Sequence, residues 1–276
     1  MPRPGLPKLI ATDLDGTLVR SDDTVSAYAH AVLDRVRSAG IWVVGATGRG
    51  PRLLDMSRRD LPSAGYMVMA GGGRVIDLST GGLPLVLRDD RLDGPVVAAL
   101  LDDLEALVGP LLVMVEALDG PDEPLWGDAD PGWPWPDLVA PMPRAESLTG
   151  EVVKVFVRVD GDGDADALLR VARAVIPPAR ASVTQAGLGY VEICPPGVDK
   201  ATGLAVVAGA LGVDRAEVLV FGDMPNDVPM FRWAGWGRVA VGNAHPEVRA
   251  LADEVTATND EDGVALWLDD LLSSTG

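Results

Sequence analysis

A chain of 276 residues with 47% hydrophobic side chains can bury a large core and is too apolar to stay disordered. Its formal charge of -18 and pI of about 4.4 argue against nucleic acid or an anionic membrane as the main partner. The single cysteine, Cys194, excludes an internal disulfide and suits a cytoplasmic protein. No run has the length and apolarity of a membrane span, and no signal peptide is expected after Met1-Pro2-Arg3-Pro4-Gly5.

Taken in order, Lys8 to Thr12 reads as a short buried strand that runs into Asp13-Leu14-Asp15-Gly16-Thr17. Residues 18–24 form a small hairpin or loop. A helix is predicted from Val25 to Ala39, with Val25, Ala29, Val32, Leu33 and Val36 on one face and Gly40 as its stop. Ile41 to Ala46 is a second buried strand ending in Thr47-Gly48-Arg49-Gly50, and Pro51 opens the next helix. Tyr66 to Ala70 is a third strand, followed by Gly71-Gly72-Gly73 and Arg74 to Asp77. This alternation implies a parallel sheet with right-handed crossovers.

The rhythm changes after Gly81-Gly82. Strands are predicted at 83–87, 111–116, 152–159, 181–185 and 190–194, with helices at 95–107 and 165–176. Residues 119–144 are crowded with Pro, Gly and Asp and carry Trp126, Trp133 and Trp135. The block reads as an α+β domain, 83–194, inserted into a core made of 1–82 and 195–276. The parallel rhythm then resumes. Asp199 caps a helix from Lys200 to Leu211, and Glu217 to Phe221 is a strand ending in Gly222-Asp223. Asn226 is placed to cap a short helix through Trp233. Residues 238–241 form a strand, and 246–252 and 260–271 form helices.

Four features fall at strand–loop–helix junctions of this layer: Asp13 with Asp15, Thr47, Lys200, and Asp223 with Asn226 and Asp227. Each alone has a plain reading as turn, cap or surface residue. Two acids two residues apart suit a hard cation, or a division into nucleophile and proton carrier. Both would point the same way only if strand geometry persisted past Thr12. Lysines occur only at Lys8, Lys154 and Lys200, so one at a junction stands out.

Together these motifs resemble the haloacid dehalogenase-superfamily phosphatases of the Cof-type branch, which carry a C2-type α/β cap. D-L-D-G-T at 13–17, A-T-G-R at 46–49, D-K at 199–200 and G-D-M-P-N-D at 222–227 match its four motifs. G-N-A at 242–244 and N-D-E-D-G-V-A at 259–265 match that branch too. The resemblance implies an α/β fold: a Rossmann-like parallel-sheet core with helices on both faces, plus the inserted cap. It implies that Asp13 attacks phosphorus to form an aspartyl phosphate, and that Asp15 carries the proton. Asp13, Asp223 and the Asp15 backbone carbonyl would hold Mg²⁺, supported by Asn226 and Asp227. Thr47, the Gly48 amide, Arg49 and Lys200 would meet the phosphoryl group or substrate. Metal and lysine would thus make a local positive site on an acidic protein.

Three positions depart from the pattern: Gly71-Gly72-Gly73 where N-G-A is frequent, Ala201 where glycine follows the lysine, and Met224 where a polar residue is common. The resemblance also makes the inserted block the chooser of the leaving group. There the tryptophans either stack on a ring or anchor their loop, Arg49 is placed to reach a second anionic group, and Arg52 either does the same or forms an exposed salt bridge. Tyr190 and Glu192 either face substrate or follow plain strand alternation. Cys194 reads as a packing residue. The expected activity is a phosphatase on a small phosphorylated metabolite such as a sugar phosphate. A phosphomutase on the same scaffold and a non-enzymatic phosphometabolite-binding protein stay open. Monomer and homodimer are equally open.

Overall fold

In the computed structural model, the described residues are 5–117, 120, 123–130, 132–133, 135–161, 164–185 and 189–274. They group into two compact units. One holds Met1–Arg49, Asp55–Arg88 and Asp199–Gly276; the other holds Gly50–Leu54 and Asp89–Val198.

The first unit is built on an eight-stranded sheet. Its spatial order is Glu254–Val255, Gly237–Ala240, Val218–Gly222, Leu9–Thr12, Trp42–Ala46, Tyr66–Met69, Arg74–Asp77 and Leu85–Asp89. The first six strands pair in parallel, and Arg74–Asp77 returns antiparallel to Tyr66–Met69. Leu9–Thr12 is fully buried between two strands, as a near-continuous apolar run in a parallel sheet should be. Helix Ala27–Ser38 packs on Gly263–Ser274, and Lys200–Leu211 packs on Val228–Trp233. The fold is therefore a mixed, mainly parallel α/β sheet with crossover helices.

Local chemistry explains the helix ends. The Ser26 hydroxyl accepts from the Ala29 N–H, so the first helix begins at Ala27 rather than Val25. At Lys200–Leu211, Asp199 accepts from the Thr202 N–H at 2.8 Å while the Thr202 hydroxyl accepts from the Asp199 N–H at 3.1 Å. This reciprocal cap fixes the turn that presents Lys200.

Several expectations are corrected. Leu85–Asp89, read as the opening strand of the inserted block, lies at the edge of the large sheet. Its apolar run announces a strand but not its neighbour. The expected strand 152–159 is two strands, Glu151–Val152 and Lys154–Val159, which join different sheets. Pro51 opens a 3₁₀ turn, Pro51–Leu53, before the helix Leu54–Asp60.

The second unit carries a six-stranded sheet ordered Ser182–Gln185, Val191–Cys194, Lys154–Val159, Leu111–Glu116, Leu125–Gly127 and Val139–Pro141. Strand alternation divides its faces. Val113, Val115, Val155, Val157, Val191 and Ile193 share one apolar cluster with residues of helices Gly94–Val108 and Ala165–Val175. On the other alternation set, Glu116, Lys154 and Glu192 are buried, and Lys154 pairs with Glu192. Arg52 lies 3.7 Å from Glu116 inside this unit, and both are buried, so the pair is not the exposed salt bridge the sequence suggests. Trp133 is buried in edge-to-face contact with Trp135, Phe156 and Tyr190, which fits its reading as a loop anchor. Cys194 is buried, and burial followed by the Glu192 charge pushes its thiol up to about 12, which suits packing rather than nucleophilic chemistry.

One member of the glycine run, Gly72, has a steric reason within the first unit. Gly72 has φ +117°, and a Cβ there would collide with the Asp199 carbonyl oxygen. The loop therefore lies against the N-terminus of the Lys200 helix. Gly72→Ala is expected to cost about 1–3 kcal/mol from backbone strain alone. The urea midpoint should fall with an unchanged m-value; an unchanged midpoint would contradict the close approach.

Candidate active site

The parallel order brings the carboxyl ends of Leu9–Thr12, Trp42–Ala46 and Val218–Gly222 side by side, where ligands bind in open α/β sheets. The Asp13 N–H still bonds the Phe221 carbonyl at 3.0 Å, but the strand ends there. The Leu14 carbonyl accepts from the N–H groups of Thr17, Leu18 and Val19, which closes a tight turn. The two acids consequently part: Asp13 is buried, whereas the Asp15 side chain is 52% exposed. Strand alternation does not carry across this turn.

The centre of the site is Lys200, fully buried at its helix start. Its ammonium donates to Asp13 Oδ1 at 2.7 Å and to Asp227 Oδ1 at 2.6 Å. Asp227 Oδ2 accepts from the backbone N–H groups of Asp223 at 2.8 Å and Met224 at 3.0 Å. Asp227 thus ties the lysine to the turn that carries Asp223. Gly222 leaves room for it, since a Cβ there would lie 2.6 Å from the Asp227 carboxyl carbon. Met224 uses only its backbone in this contact, so a polar side chain is not required for it.

Asp223 is buried and accepts the Thr17 hydroxyl at 2.8 Å on Oδ1. Carboxylate oxygens of Asp13, Asp223 and Asp227 lie within 4.8 Å of one another. Burial, then the charge of Asp227, pushes the Asp223 carboxyl up to about 7. Burial also holds Asp13 well above the carboxylate range; Lys200 opposes this, and Asp227 and Asp223 add to it. For Lys200 itself burial works against the ammonium, but Asp13 and Asp227 outweigh it and hold its pKa above the ordinary value. Three carboxylates around one ammonium leave an excess of negative charge in a dry place. A hard divalent cation with oxygen ligands fits this donor set. Asp13 and Asp223 are the better candidates, because both Asp227 oxygens already serve N–H donors.

The other sequence-nominated residues fall as follows. Thr47 is fully buried at its strand end, and its hydroxyl accepts from the Arg49 N–H at 3.0 Å; Gly48 lies between them. Arg49, expected to face substrate, instead grips both oxygens of Asp15, with Nη2 at 2.6 Å and Nε at 2.9 Å, and reaches Asp60 at 2.5 Å. Its side chain is only 9% exposed, so two carboxylates satisfy a guanidinium mostly removed from water. Asn226 does not cap the following helix. Its Oδ1 is buried without a hydrogen-bond partner among the described residues, and Asp227 occupies the N-cap position of Val228–Trp233.

Sequence reasoning assigned no role to Thr17, Asp60, Asn243 or Asn259. Thr17, Asn243 and Asn259 stand inside quoted motifs, which was the available signal. Asp60 carries no such signal, since its partner Arg49 lies on another element.

Asp227→Ala would leave Lys200 one carboxylate short and strip the acceptor from two backbone N–H groups. Removing one partner of a buried ion pair typically costs about 3–5 kcal/mol. Urea unfolding of the metal-free protein should show a loss of that size; a loss below about 1 kcal/mol, the worth of an exposed pair, would contradict the burial argument.

The sequence profile of the haloacid dehalogenase-like hydrolases matches residues 10–112 and 145–268. The chain is 31% identical over 280 residues to the 5-amino-6-(5-phospho-D-ribitylamino)uracil phosphatase YitU of Bacillus subtilis, covering 97% of this chain and 98% of that protein. It is 28% identical over 288 residues to YwtE, a phosphatase of the same name from that organism, covering 96% and 98%. A solved haloacid dehalogenase-like hydrolase from Bacteroides thetaiotaomicron is similar at 27% identity and a TM-score of 0.72, over 96% of this chain and 99% of that one.

Proposed function

The chain belongs to the haloacid dehalogenase-like hydrolases and is a phosphoric monoester hydrolase acting on small phosphorylated compounds; we propose that it cleaves a sugar or sugar-alcohol phosphate with Mg²⁺, through an aspartyl phosphate on Asp13. The observation that carries this reading is the buried contact of Lys200 with Asp13 and Asp227 beside Asp223. It brings a carboxylate nucleophile, a fixed cation and a second carboxylate together at the carboxyl end of the parallel sheet.

In this reading Asp13 attacks phosphorus, and the ester oxygen departs with a proton from Asp15. Asp15 then takes a proton from the water that cleaves the acyl phosphate, and inorganic phosphate leaves. Lys200 orients Asp13 and faces the phosphoryl oxygens, while Asp227 keeps that lysine in place. Thr47 and the Gly48 amide supply further donors to the phosphoryl group. Arg49 holds Asp15 by two bonds and so acts by positioning it. Asp13, Asp223 and the Asp15 backbone carbonyl would hold Mg²⁺, which when bound neutralises charge on the transferring group.

The inserted unit is assigned the choice of leaving group. The substrate class rests on the two Bacillus subtilis relatives, whose named substrate carries its phosphate on a ribityl chain. Compared across a panel of phosphate monoesters with Mg²⁺, sugar and sugar-alcohol phosphates, including 5-amino-6-(5-phospho-D-ribitylamino)uracil, should give the highest kcat/KM. Asp13→Asn should lower turnover by at least about a thousandfold, the scale seen when a covalent nucleophile is removed. No phosphate release from any ester would overturn the activity. Equal release by wild type and Asp13→Asn would trace it to a contaminant.

A further inference from the structure

Two motifs of the sequence, Gly242-Asn243-Ala244 and the stretch from Asn259, have no part in the chemistry above. Their contacts converge on the loop after Asp13. Asn243 Nδ2 donates to the Gly16 carbonyl at 2.8 Å, and Asn243 Oδ1 accepts from the Asn259 N–H at 3.0 Å. Asn259 Nδ2 in turn donates to the Val19 carbonyl at 3.0 Å. The two asparagines thereby clasp both ends of the segment Gly16–Val19.

The loop after strand Gly237–Ala240 that carries Asn243 also reaches Asp223. The His245 N–H donates to the Asp223 carbonyl at 2.7 Å. Residues 243–245 therefore hold Gly16 by a side chain and Asp223 by a backbone group. Between these two points the contact is close: Gly16 has φ +77°, a Cβ there would lie 2.6 Å from Asp223 Oδ2, and Thr17 donates to Asp223 Oδ1. The asparagine clasp is reinforced outside, where Arg20 pairs with Asp262 at 2.6 Å and the Ser21 N–H donates to Asp260 at 2.8 Å.

We propose that Asn243 is a positioning residue for the cation site: it fixes the loop of Asp13 to Gly16 against Asp223, and so sets the spacing of the two carboxylates. Two features separate this from a packing role. Asn243 is exposed, so its side chain fills no core volume. Its amide spends both ends on backbone groups, one of them 227 residues away in sequence. A loss confined to cation affinity is thus a signature that general weakening of the fold does not give.

The inference rests on the reading that Asp13 and Asp223 hold a divalent cation. The test is the thermal shift of the full chain on titration with MgCl₂, without substrate, for wild type, Asn243→Ala, Asn243→Asp and Asp223→Asn. Wild type should gain Tm with Mg²⁺, and Asp223→Asn should not. Asn243→Ala should keep the metal-free Tm within a degree or two while the Mg²⁺ concentration for half the shift rises about tenfold, the lower end for outer-shell partners of metal ligands. Asn243→Asp keeps the acceptor for Asn259 but loses the donor to Gly16, and should show the same rise. A wild-type shift that Asp223→Asn abolishes, with both Asn243 variants matching wild type, would overturn the positioning role alone. Absence of a wild-type shift, or its persistence in Asp223→Asn, would overturn the cation reading and the positioning role with it. A lowered metal-free Tm with unchanged Mg²⁺ dependence would assign Asn243 to stability instead.

Discussion

The buried ammonium of Lys200, held 2.7 Å from Asp13 and 2.6 Å from Asp227, is the constraint on which the site depends. Taking an ammonium and carboxylates out of water costs several kcal/mol per ion, and the cost is recovered only when geometry and hydrogen bonding are nearly complete. Here they are. Lys200 sits at a capped helix start, Asp13 at a strand end, and Asp227 spends its second oxygen on two backbone N–H groups. Even so, the lysine cannot balance three acids. Burial first, and then the neighbouring carboxylates, raise the pKa of Asp13 and Asp223, and a further cation would offset both effects.

The fold delivers these groups by its strand order. With Leu9–Thr12 between Val218–Gly222 and Trp42–Ala46, residues over two hundred positions apart emerge at one edge. Small residues then allow the approach: Gly16 beside Asp223, Gly222 beside Asp227, and Gly72 beside Asp199. Each stands where a side chain would meet a group that belongs to the site or its supporting helix. Within the glycine run, Gly72 is therefore a packing requirement at the foot of the Lys200 helix.

Much of this was legible in the sequence because the signal is local. An apolar strand followed by an acid marks Asp13 and Asp223, and Asp199 before a helical run marks the start that carries Lys200. What was not legible depends on direction and partner. The turn after Asp13 separates its side chain from that of Asp15. Arg49, a natural candidate for an anionic substrate, is committed to Asp15 and Asp60 on other elements. Asn226 has the composition of a helix cap, but Asp227 takes that position. Leu85–Asp89 announces a strand without naming its sheet, and the clasp of Asn243 and Asn259 closes across more than two hundred residues. Periodicity and capping rules carry no information on such pairings.

The assignment of Asp13 as nucleophile is tested most directly by trapping. Wild type turning over a phosphate ester with Mg²⁺ is quenched in acid and its peptides are weighed. A phosphoryl group confined to the peptide carrying Asp13, and missing from Asp13→Asn, is the expected result. Sustained turnover by wild type with no phosphorylated carboxylate, or with the phosphoryl group on a peptide that lacks Asp13, would contradict it.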